Sequence, residues 1–347
     1  MPLPERARID ALPAAPQALP AMIFLFQKGM MMWHAVAGDV WQGRDDRCES
    51  PSALRLFQTI ECLNAWQPEH ADGKTVLLGF CSDEGVRRNQ GRTGAAAAPP
   101  VLRRALANTA AHAAPRPLLD GGDFSYSGND LEQGQNGFAA AVTEIHRHGG
   151  RTLVLGGGHE TAFAHGKGLF DAFPHRRIRI INFDPHLDLR RADRATSGTP
   201  FAQLAALARA QGREFAYTCI GVSRAANTAA LLDDAAALGV EMIWDTDVHW
   251  GNAAALTARL AQLCADSDLI YLTIDLDVLP AAQMPAVSAP AALGIPLELL
   301  LHLLRPIVQS GKTCAADVVE FNPQYDDAGN AARTAARLLW QLWQDWR

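Results

Sequence analysis

The stretch Ile178-Arg-Ile-Ile-Asn-Phe-Asp-Pro-His-Leu-Asp188 places an apolar run directly before three side chains that can bind a metal ion. The run has the length and composition of a buried β-strand. Side chains two residues apart on a strand point to the same face, so Asp184, His186 and Asp188 can aim at one point. The stretch therefore predicts a strand that ends in a cluster of potential ligands.

Two other segments have the same design. A second apolar run ends at Asp275 and Asp277, whose side chains can also share a face. A third run ends in three consecutive glycines, which permit a sharp turn, and His159 follows them. An isolated Asp-x-Asp pair is usually a solvated loop or a helix cap. Three such segments at strand ends favour a shared site, because ligands bind outside the carboxyl ends of strands in open α/β sheets.

The charge of this cluster indicates two metal ions. Four carboxylates that converge on one cleft repel each other unless cations lie between them. Two divalent ions would balance that charge, and six ligands can hold two ions only if some carboxylates bridge. Oxygen ligands with two imidazoles and no thiolate favour Mn²⁺ over a structural zinc, while Zn²⁺ and Fe²⁺ are not excluded. The candidate ligands are His159, Asp184, His186, Asp188, Asp275 and Asp277.

Strand and helix patterns alternate from about residue 75 to the last residues of the chain. The strands are uniformly apolar, as expected when helices cover both faces of a sheet. We predict an α/β fold: a single three-layer domain, residues 30–347, with a central, mostly parallel sheet flanked by helices. The predicted strands are 76–80, 152–155, 178–183, 216–222, 240–244, 269–274 and 314–319. The predicted helices are 99–108, 131–148, 160–170, 201–210, 227–238, 253–265, 296–309 and 331–346.

Bulk properties exclude several classes of protein. The 347 residues are 48% hydrophobic and 20% charged, which is ordinary for a globular protein. The net charge of −6 gives no indication of nucleic-acid binding. No apolar run approaches the ~20 residues of a transmembrane helix, so we expect no membrane contact. Six cysteines without a CxxC pair fit reduced thiols and a cytoplasmic location.

Residues 1–29 differ from the rest of the chain. They are rich in Pro and Ala, and the short apolar run at 21–26 makes an unconvincing signal peptide. Three methionines at 30–32 offer an alternative start of translation. We predict that residues 1–29 are an unstructured or non-native extension without a role in the fold.

The three metal motifs resemble those of the ureohydrolase (arginase/agmatinase) family. They are the glycines before His159, the Asp184-Pro-His-Leu-Asp188 stretch, and Thr273-Ile-Asp-Leu-Asp-Val-Leu-Pro280. The stretch Asp317-Val-Val-Glu-Phe-Asn-Pro323 is similar to a fourth family signature. The motifs stand in family order, and the resemblance runs from about residue 75 to the C-terminus.

Within the family, the chain is most similar to the formimidoylglutamase branch. Residues 41–46 and 79–92 resemble that branch's N-terminal segments, and residues 196–201 resemble its substrate loop. Gly158 stands where arginases and agmatinases usually carry Asp. Phe201 takes roughly the place of an arginase histidine that is a proposed proton shuttle, which puts arginase activity in doubt.

The resemblance implies hydrolysis of N-formimidoyl-L-glutamate to L-glutamate and formamide, a step of histidine degradation. It implies that a hydroxide shared by the two metals attacks the amidine carbon. Asp184 and Asp275 would bridge the metals. One metal would be held by His159, Asp184, Asp188 and Asp275, and the other by His186, Asp184, Asp275 and Asp277.

The resemblance also suggests further site residues. Asp188 is a candidate proton carrier, with plain metal ligation as an equal alternative. Glu320 would hold the planar amidinium, although it could instead cap the following turn. Arg190, Ser197 and Arg224 are candidates for binding the two carboxylates of the substrate, since such groups need strong donors.

Two alternatives stay open. The chain could be another ureohydrolase that acts on a guanidino acid, similar to a guanidinobutyrase or an agmatinase. It could also be a catalytically silent, metal-binding member of the family. Because relatives are commonly trimers or hexamers, the resemblance implies a homo-oligomer whose ligand is a small dianionic molecule.

Overall fold

The structure, a computed structural model, describes residues 22–26, 29–128 and 130–347. Its strands are β1 (Met22–Phe26), β2 (Gly29–His34), β3 (Glu61–Cys62), β4 (Thr75–Phe80), β5 (Leu118–Tyr126), β6 (Arg151–Gly156), β7 (Ile178–Phe183), β8 (Ala216–Val222), β9 (Glu241–Trp244), β10 (Leu269–Asp275) and β11 (Thr313–Val319). Its helices are α1 (Glu84–Arg88), α2 (Ala98–Ala107), α3 (Leu131–Arg147), α4 (Thr161–Ala172), α5 (Pro200–Ala210), α6 (Ala229–Ala237), α7 (Ala253–Ala265), α8 (Leu297–Val308) and α9 (Asn330–Asp345).

All these strands belong to one sheet. Its order is β1-β2-β5-β4-β6-β11-β10-β7-β8-β9, and β3 lies beside β5. The pairs β1–β2 and β2–β5 are antiparallel, while every other pair is parallel. The predicted central, mostly parallel sheet is therefore confirmed.

Helices cover both faces of the sheet. Successive strand residues enter opposite cores, as the alternation of side chains on a strand requires. On β7, Ile180 packs into one core and Ile181 into the other. Helices α2, α7, α8 and α9 supply the core on the side of Ile181, and α3, α4 and α5 supply the core on the side of Ile180. This arrangement confirms the predicted three layers.

The sheet brings the three metal motifs to one edge. Strands β6, β11, β10 and β7 are consecutive neighbours in the middle of the sheet. All four are parallel, so their carboxyl ends lie together. The motifs that follow β6, β7 and β10 therefore meet, and Glu320 joins them directly after β11.

Strand β5 and the hairpin of β1 and β2 are absent from the sequence-based prediction. The β5 sequence, Leu-Leu-Asp-Gly-Gly-Asp-Phe-Ser-Tyr, resembles a loop because glycine and aspartate are depleted in strands. The structure accommodates them by burying Asp120 against the guanidinium of Arg103, at 2.8 Å. Gly122 takes a positive φ of 86° next to a register shift between β4 and β5.

Strand β1 lies inside the segment 1–29, for which the sequence predicts no role in the fold. Its five residues pair with β2, which differs from that expectation. Residues 1–21 and 27–28 lie outside the described residues, so the proposed boundary of the domain stays a prediction. None of the helices in the described ranges has the length and apolarity that a bilayer crossing requires.

Substitution of the buried Arg103 tests how much its ion pairs with β5 stabilise the protein. Its side chain is fully buried and contacts both Asp120 and Asp123. We expect Arg103→Met to lower the free energy of unfolding by about 3–5 kcal/mol, because it leaves buried carboxylates without a cation. Urea unfolding followed by circular dichroism measures this loss.

The neighbouring Arg104 is the matched control. Its pair with Asp39 is solvent-exposed, with an N–O distance of 3.3 Å. Exposed pairs contribute about 0–1 kcal/mol, so Arg104→Met should have little effect. Equal losses in the two variants would contradict the role given to the buried pair.

Candidate metal centre

The glycine run after β6 delivers His159 by a close backbone approach. A Cβ atom on Gly157 would lie 1.7 Å from the carbonyl oxygen of Ser82, so only glycine fits there. The amide of Gly158 donates to the same carbonyl at 2.9 Å. The turn therefore packs directly against the segment that follows β4.

Gly158 has a second consequence. A Cβ atom at this position would lie 2.1 Å from Oε2 of Glu160, so the buried carboxyl of Glu160 uses the space that a side chain would need. The other oxygen of Glu160 accepts hydrogen bonds from the Ser82 hydroxyl at 2.8 Å and the Gly85 amide at 2.9 Å. Gly158 and Glu160 together bind the metal loop to the start of α1.

Three carboxylates surround one nitrogen of His159. Its Nδ1 lies 3.1 Å from Asp184 Oδ2, 3.0 Å from Asp188 Oδ2 and 3.2 Å from Asp275 Oδ2. Despite these distances, Nδ1 has no hydrogen-bond partner, because none of the oxygens lies in the direction of a ring N–H. Three carboxylates therefore converge on His159, and its Nδ1 is left without a hydrogen bond.

A second group lies on the other side of Asp184. Nδ1 of His186 is 3.4 Å from Asp184 Oδ1 and 3.3 Å from Asp277 Oδ2. Thus the two oxygens of Asp184 face different histidines. The donor atoms of His159, Asp184 and Asp275 lie within 4.8 Å of one another, as do those of Asp184, His186 and Asp277.

The protein's own charges make this cluster unfavourable. Burial raises the pKa of Asp275 well above its usual range, and the charges of Asp277 and Asp184 raise it further. Burial also raises the pKa of Asp277 to about 6, against the opposing effect of His186. Burial lowers the pKa of His186, but the carboxylates of Asp277 and Asp184 outweigh it and raise this pKa to about 12.

These observations fit a pair of divalent cations. Closely spaced buried carboxylates need positive charge between them, and the imidazoles can supply part of it only by holding protons. The oxygen Oδ1 of Asp277 is buried without a hydrogen-bond partner, as is Nδ1 of His159. Both atoms are free to act as ligands. The structure brings all six predicted ligands together.

Two polar residues to which the motif analysis assigned no role orient the ligands. The hydroxyl of Thr273 is 3.0 Å from Nε2 of His159, and the amide of Asn182 donates to Asp184 Oδ2 at 3.1 Å. Each precedes a ligand by two positions on its strand, Thr273 before Asp275 and Asn182 before Asp184. The two-residue period of a strand could have identified them.

The cluster opens into a cavity of about 280 Å³. Its wall combines metal ligands with polar groups from five loops. The residues that line it are Asn89, Gln90, Gly91, His186, Asp188, Arg190, Ser197, Ala226, Asn227, Leu231, Asp275, Asp277, Ser288, Ala289 and Glu320. Of the catalytic and substrate-binding residues predicted from sequence, Asp188, Glu320, Arg190 and Ser197 are present, and Arg224 is not.

Backbone strain concentrates at this cavity. Gln90, Asp188 and Glu320 have positive φ angles of 62°, 49° and 67°, and all three line the wall. In the described chain the remaining non-glycine residue of this kind is Ala328. Such conformations cost about 1–3 kcal/mol each, persist only where the surrounding structure enforces them, and cluster at functional sites.

The two carboxyl oxygens of Glu320 differ in their hydrogen bonding. Oε1 accepts a hydrogen bond from the backbone amide of His159 at 2.8 Å. Oε2 is buried without a hydrogen-bond partner. Burial raises the pKa of Glu320 well above its usual range, and Asp275 and Glu160 add to this effect. The turn at Asn322 is capped by Asn322 itself, which leaves Oε2 of Glu320 available.

The polar candidates for substrate binding occupy different places. Arg190 is exposed at the cavity, and buried Ser197 accepts a hydrogen bond from Asn89 at 3.2 Å. Arg224 is not brought to the cluster, because its guanidinium lies over the ring of Trp244, 4.4 Å from the centroid, outside the cavity wall.

Phe201 also lies away from the cavity wall. It is fully buried, stacks on Tyr217, and meets the His159 ring edge-on at a centroid distance of 5.3 Å. It is the second residue of α5, which begins at Pro200, and its ring lies in the core. From the core, Phe201 supports the imidazole of His159.

Asn89, Gln90, Asn227 and Ser288 line the cavity without having been singled out as site residues. Asn89 and Gln90 lie in the 79–92 segment that carries the branch resemblance, so a signal was present for them. Asn227 donates to the carbonyl of Pro185 at 2.8 Å, which holds the loop after β7. No pattern near Ser288 distinguishes it from a surface serine.

The chain has a three-layer α/β fold with a mostly parallel sheet, and the sheet carries two donor groups that share the carboxylate of Asp184. These features place the chain in the class of binuclear metal-site proteins. Residues 73–344 match the model of the arginase family, and the chain belongs to this family. The predicted family resemblance is therefore confirmed.

Related proteins narrow the comparison. The formimidoylglutamase of Citrobacter koseri is 56% identical over 318 residues, which cover 92% of this chain and 100% of the relative. That of Klebsiella pneumoniae subsp. pneumoniae is 55% identical over 318 residues, with the same coverage of 92% and 100%. The crystal structure of Trypanosoma cruzi formiminoglutamase with Mn²⁺ is 25% identical, with a TM-score of 0.74, and covers 84% of this chain and 98% of its own.

The raised pKa of His186 predicts proton release on metal binding. With a pKa of about 12 in the protein alone, this imidazole holds a proton at neutral pH, and a metal ion must displace it. The affinity for Mn²⁺ should therefore rise with pH, about tenfold per pH unit for each proton displaced. Calorimetry of Mn²⁺ binding in two buffers of different ionisation enthalpy counts these protons.

A distant histidine serves as the control. His302 lies against the ring of Trp250, away from the cluster. We expect His186→Gln to reduce the proton count and His302→Gln to leave it unchanged. Binding heats that do not depend on the buffer would contradict the assignment.

Proposed function

We propose that this chain hydrolyses N-formimidoyl-L-glutamate to L-glutamate and formamide. The observation that carries the proposal is the cavity wall, in which Glu320 and Arg190 accompany the paired donor groups, and in which one carboxyl oxygen of Glu320 has no hydrogen-bond partner. Such a wall suits a molecule with a planar cation at one end and carboxylates at the other. Relatives with 56% and 55% identity are formimidoylglutamases.

The donor set supports two Mn²⁺ ions. Five oxygen-rich or imidazole positions accompany the shared Asp184, and oxygen and imidazole ligands suit manganese. The Trypanosoma cruzi relative was solved with Mn²⁺. Two such ions would supply Lewis acidity and lower the pKa of a water molecule between them. The proposed ligands are His159, Asp184, His186, Asp188, Asp275 and Asp277, with Asp184 and Asp275 shared.

Glu320 would orient the formimidoyl group. Glu320 lines the cavity, its Oε2 has no hydrogen-bond partner, and its Oε1 accepts a hydrogen bond from the backbone amide of His159. An amidinium presents two N–H groups in a plane, and a carboxylate accepts them in a charge-assisted pair. Because Glu320 is hydrogen-bonded to the loop that carries His159, the amidine carbon would face the metal ligands.

Asp188 would move a proton during the reaction. Its side chain lines the cavity, and its Oδ2 lies 3.0 Å from His159 Nδ1. Burial raises the pKa of Asp188 above its usual range, and the charge of Asp184 adds to this effect. A carboxylate at this place on the cavity wall can accept a proton from the attacking water and donate it to the leaving glutamate nitrogen.

Arg190 would bind a substrate carboxylate at the cavity mouth. Its backbone amide donates to the Gly198 carbonyl at 2.9 Å, which fixes the start of the side chain. A Cβ atom on Gly198 would lie 2.7 Å from Arg190 Cδ, so the arginine stem packs on this glycine. Ser197 and its partner Asn89 provide neutral donors beside it. The proposal extends to a cytoplasmic homo-oligomer, trimeric or hexameric, as the family resemblance implies.

The substrate panel tests this function. Purified protein loaded with Mn²⁺ should release glutamate from formimidoylglutamate, and it should not turn over arginine, agmatine or guanidinobutyrate. Asp277→Ala should lower kcat by more than about 100-fold, because the second donor group loses a ligand. Released glutamate is measured with a coupled dehydrogenase assay, and urea with a colorimetric assay.

Turnover of guanidinobutyrate in place of formimidoylglutamate would show that the substrate is a guanidino acid, and it would leave the assignment of the metal ligands unchanged. Metal uptake without turnover of any of the four compounds would indicate a catalytically silent protein. Either result contradicts the proposed function.

Adjacent arginines test the recognition of the carboxylates. We expect Arg190→Met to raise KM for formimidoylglutamate by about 10–100-fold, since a hydrogen bond to a charged group contributes about 1.5–3 kcal/mol. Its effect on kcat should be small. The control is Arg191→Met, because Arg191 is exposed and pairs with Asp234. An unchanged KM in Arg190→Met, or equal changes in both variants, would remove Arg190 from the substrate site.

A further inference from the structure

The segment between Arg190 and Ser197 is attached to the rest of the fold at Ala195. Residues 190–194 are exposed and residues 195–200 are buried, so Ala195 is the point at which the chain returns to the protein. In the part of the chain that the structure describes, the three residues after Arg190 make no hydrogen bond between backbone groups. The position of this exposed segment therefore depends on the contacts at its two ends.

Two charged side chains bind both backbone groups of Ala195. The amide of Ala195 donates to Oε1 of Glu132 at 3.0 Å, and its carbonyl accepts from Nη1 of Arg88 at 2.9 Å. The same Nη1 donates to Oε1 of Glu132 at 2.8 Å, so the three residues close a ring of hydrogen bonds. We refer to Arg88 and Glu132 as the Ala195 clamp. It satisfies the donor and the acceptor of one buried residue together, which fixes the orientation of that residue as well as its position.

Charge and burial make the Ala195 clamp firm. Only 8% of the Arg88 side chain is exposed, and its Nε also donates to Oε1 of Glu84 at 2.9 Å. Burial raises the pKa of Glu132, but hydrogen bonds from groups that include Arg88 and Arg194 outweigh it and lower this pKa to about 2. Glu132 is therefore ionised at neutral pH. Hydrogen bonds between ionised partners are about twice as strong as those between neutral ones.

Arg88 also connects the Ala195 clamp to a second part of the cavity wall. It is the last residue of α1, and residues 89–91, which line the cavity, follow it directly. Asn89 donates to the hydroxyl of Ser197 at 3.2 Å, across the boundary between the two loops. The clamp therefore holds residues 89–91 and the loop of Arg190 and Ser197 in a fixed relation to each other.

We propose that the two residues of the Ala195 clamp are positioning residues, which keep Arg190 and Ser197 at the cavity where the carboxylates of the substrate would bind. The inference rests on the proposed function of this cavity. Neither Arg88 nor Glu132 lines the cavity that contains the metal ligands, so both act through the loop. Loss of the clamp should weaken substrate binding and leave the metal centre and the chemical step in place.

Helix α3 itself provides a matched control. Glu132 is its second residue, and Glu144 lies near its other end. The side chain of Glu144 is 38% exposed, compared with 39% for Glu132, and it also pairs with an arginine, Arg147, at 2.9 Å. The same substitution at Glu144 therefore removes a carboxylate of equal exposure from the same helix, without touching the contacts of Ala195.

The test combines steady-state kinetics with amide hydrogen exchange of the Mn²⁺-loaded protein, measured by mass spectrometry without substrate. Glu132→Ala should raise KM for formimidoylglutamate by about 10–100-fold, with a small effect on kcat and on Mn²⁺ affinity. Peptides that cover residues 189–199 should exchange faster by about tenfold or more. Glu132→Gln keeps an acceptor oxygen and loses the charge, so it should lie between Glu132→Ala and the wild type. Glu144→Ala should match the wild type in each measurement.

Three outcomes would overturn the proposal: wild-type KM and exchange in Glu132→Ala, equal changes in Glu144→Ala, or a loss of kcat and Mn²⁺ affinity in parallel with the rise in KM. The last would show that the clamp supports the metal centre instead of the substrate. If Glu132→Ala does not fold, Glu132→Gln decides, because a wild-type KM and exchange in that variant would exclude a charged clamp. Failure of the proposed function is read separately, from turnover by the wild type, and the exchange measurement needs no substrate.

Discussion

The repulsion among four buried carboxylates is the constraint on which this structure depends. Asp184, Asp188, Asp275 and Asp277 approach each other, and in the part of the chain that the structure describes their ion-pair partners are histidines, with no lysine or arginine among them. Only a rigid frame can hold them so close, since a flexible one would relax and separate them. The central parallel strands provide that frame because helices bury both of their faces.

Rigidity is built outward from the ligands in successive layers. Asn182 contacts the ligand Asp184, and Thr273 contacts the ligand His159, both from within the strands. The buried carboxyls of Glu160 and Glu320 connect the turn after β6 to the neighbouring loops. Hydrogen bonds in such networks reinforce one another where the local dielectric is low. The metal cluster, the cavity wall and the sheet therefore form a single mechanical unit.

The sequence predicted the strands and helices whose apolar residues form a regular pattern. Strands 178–183 and 216–222 and the helix 253–265 have the predicted bounds, because each is an uninterrupted apolar pattern between polar breaks. The six ligands meet as expected, since they follow parallel strands. Strand β5 escaped prediction because its two aspartates pair with Arg103, a partner from another element. The position of Arg224 also depends on a residue from another element. Only the fold shows that its guanidinium lies over the ring of Trp244.

The left-handed backbone at Asp188 and Glu320 has an evolutionary consequence. Glycine or asparagine would adopt these φ angles with less strain, so both positions sacrifice stability for a carboxylate. Selection for stability alone would drive them away from acidic residues. Their persistence in a chain therefore reports continuing selection for chemistry. A descendant that lost its substrate would be expected to change first at these two positions, while the surrounding sheet stayed intact.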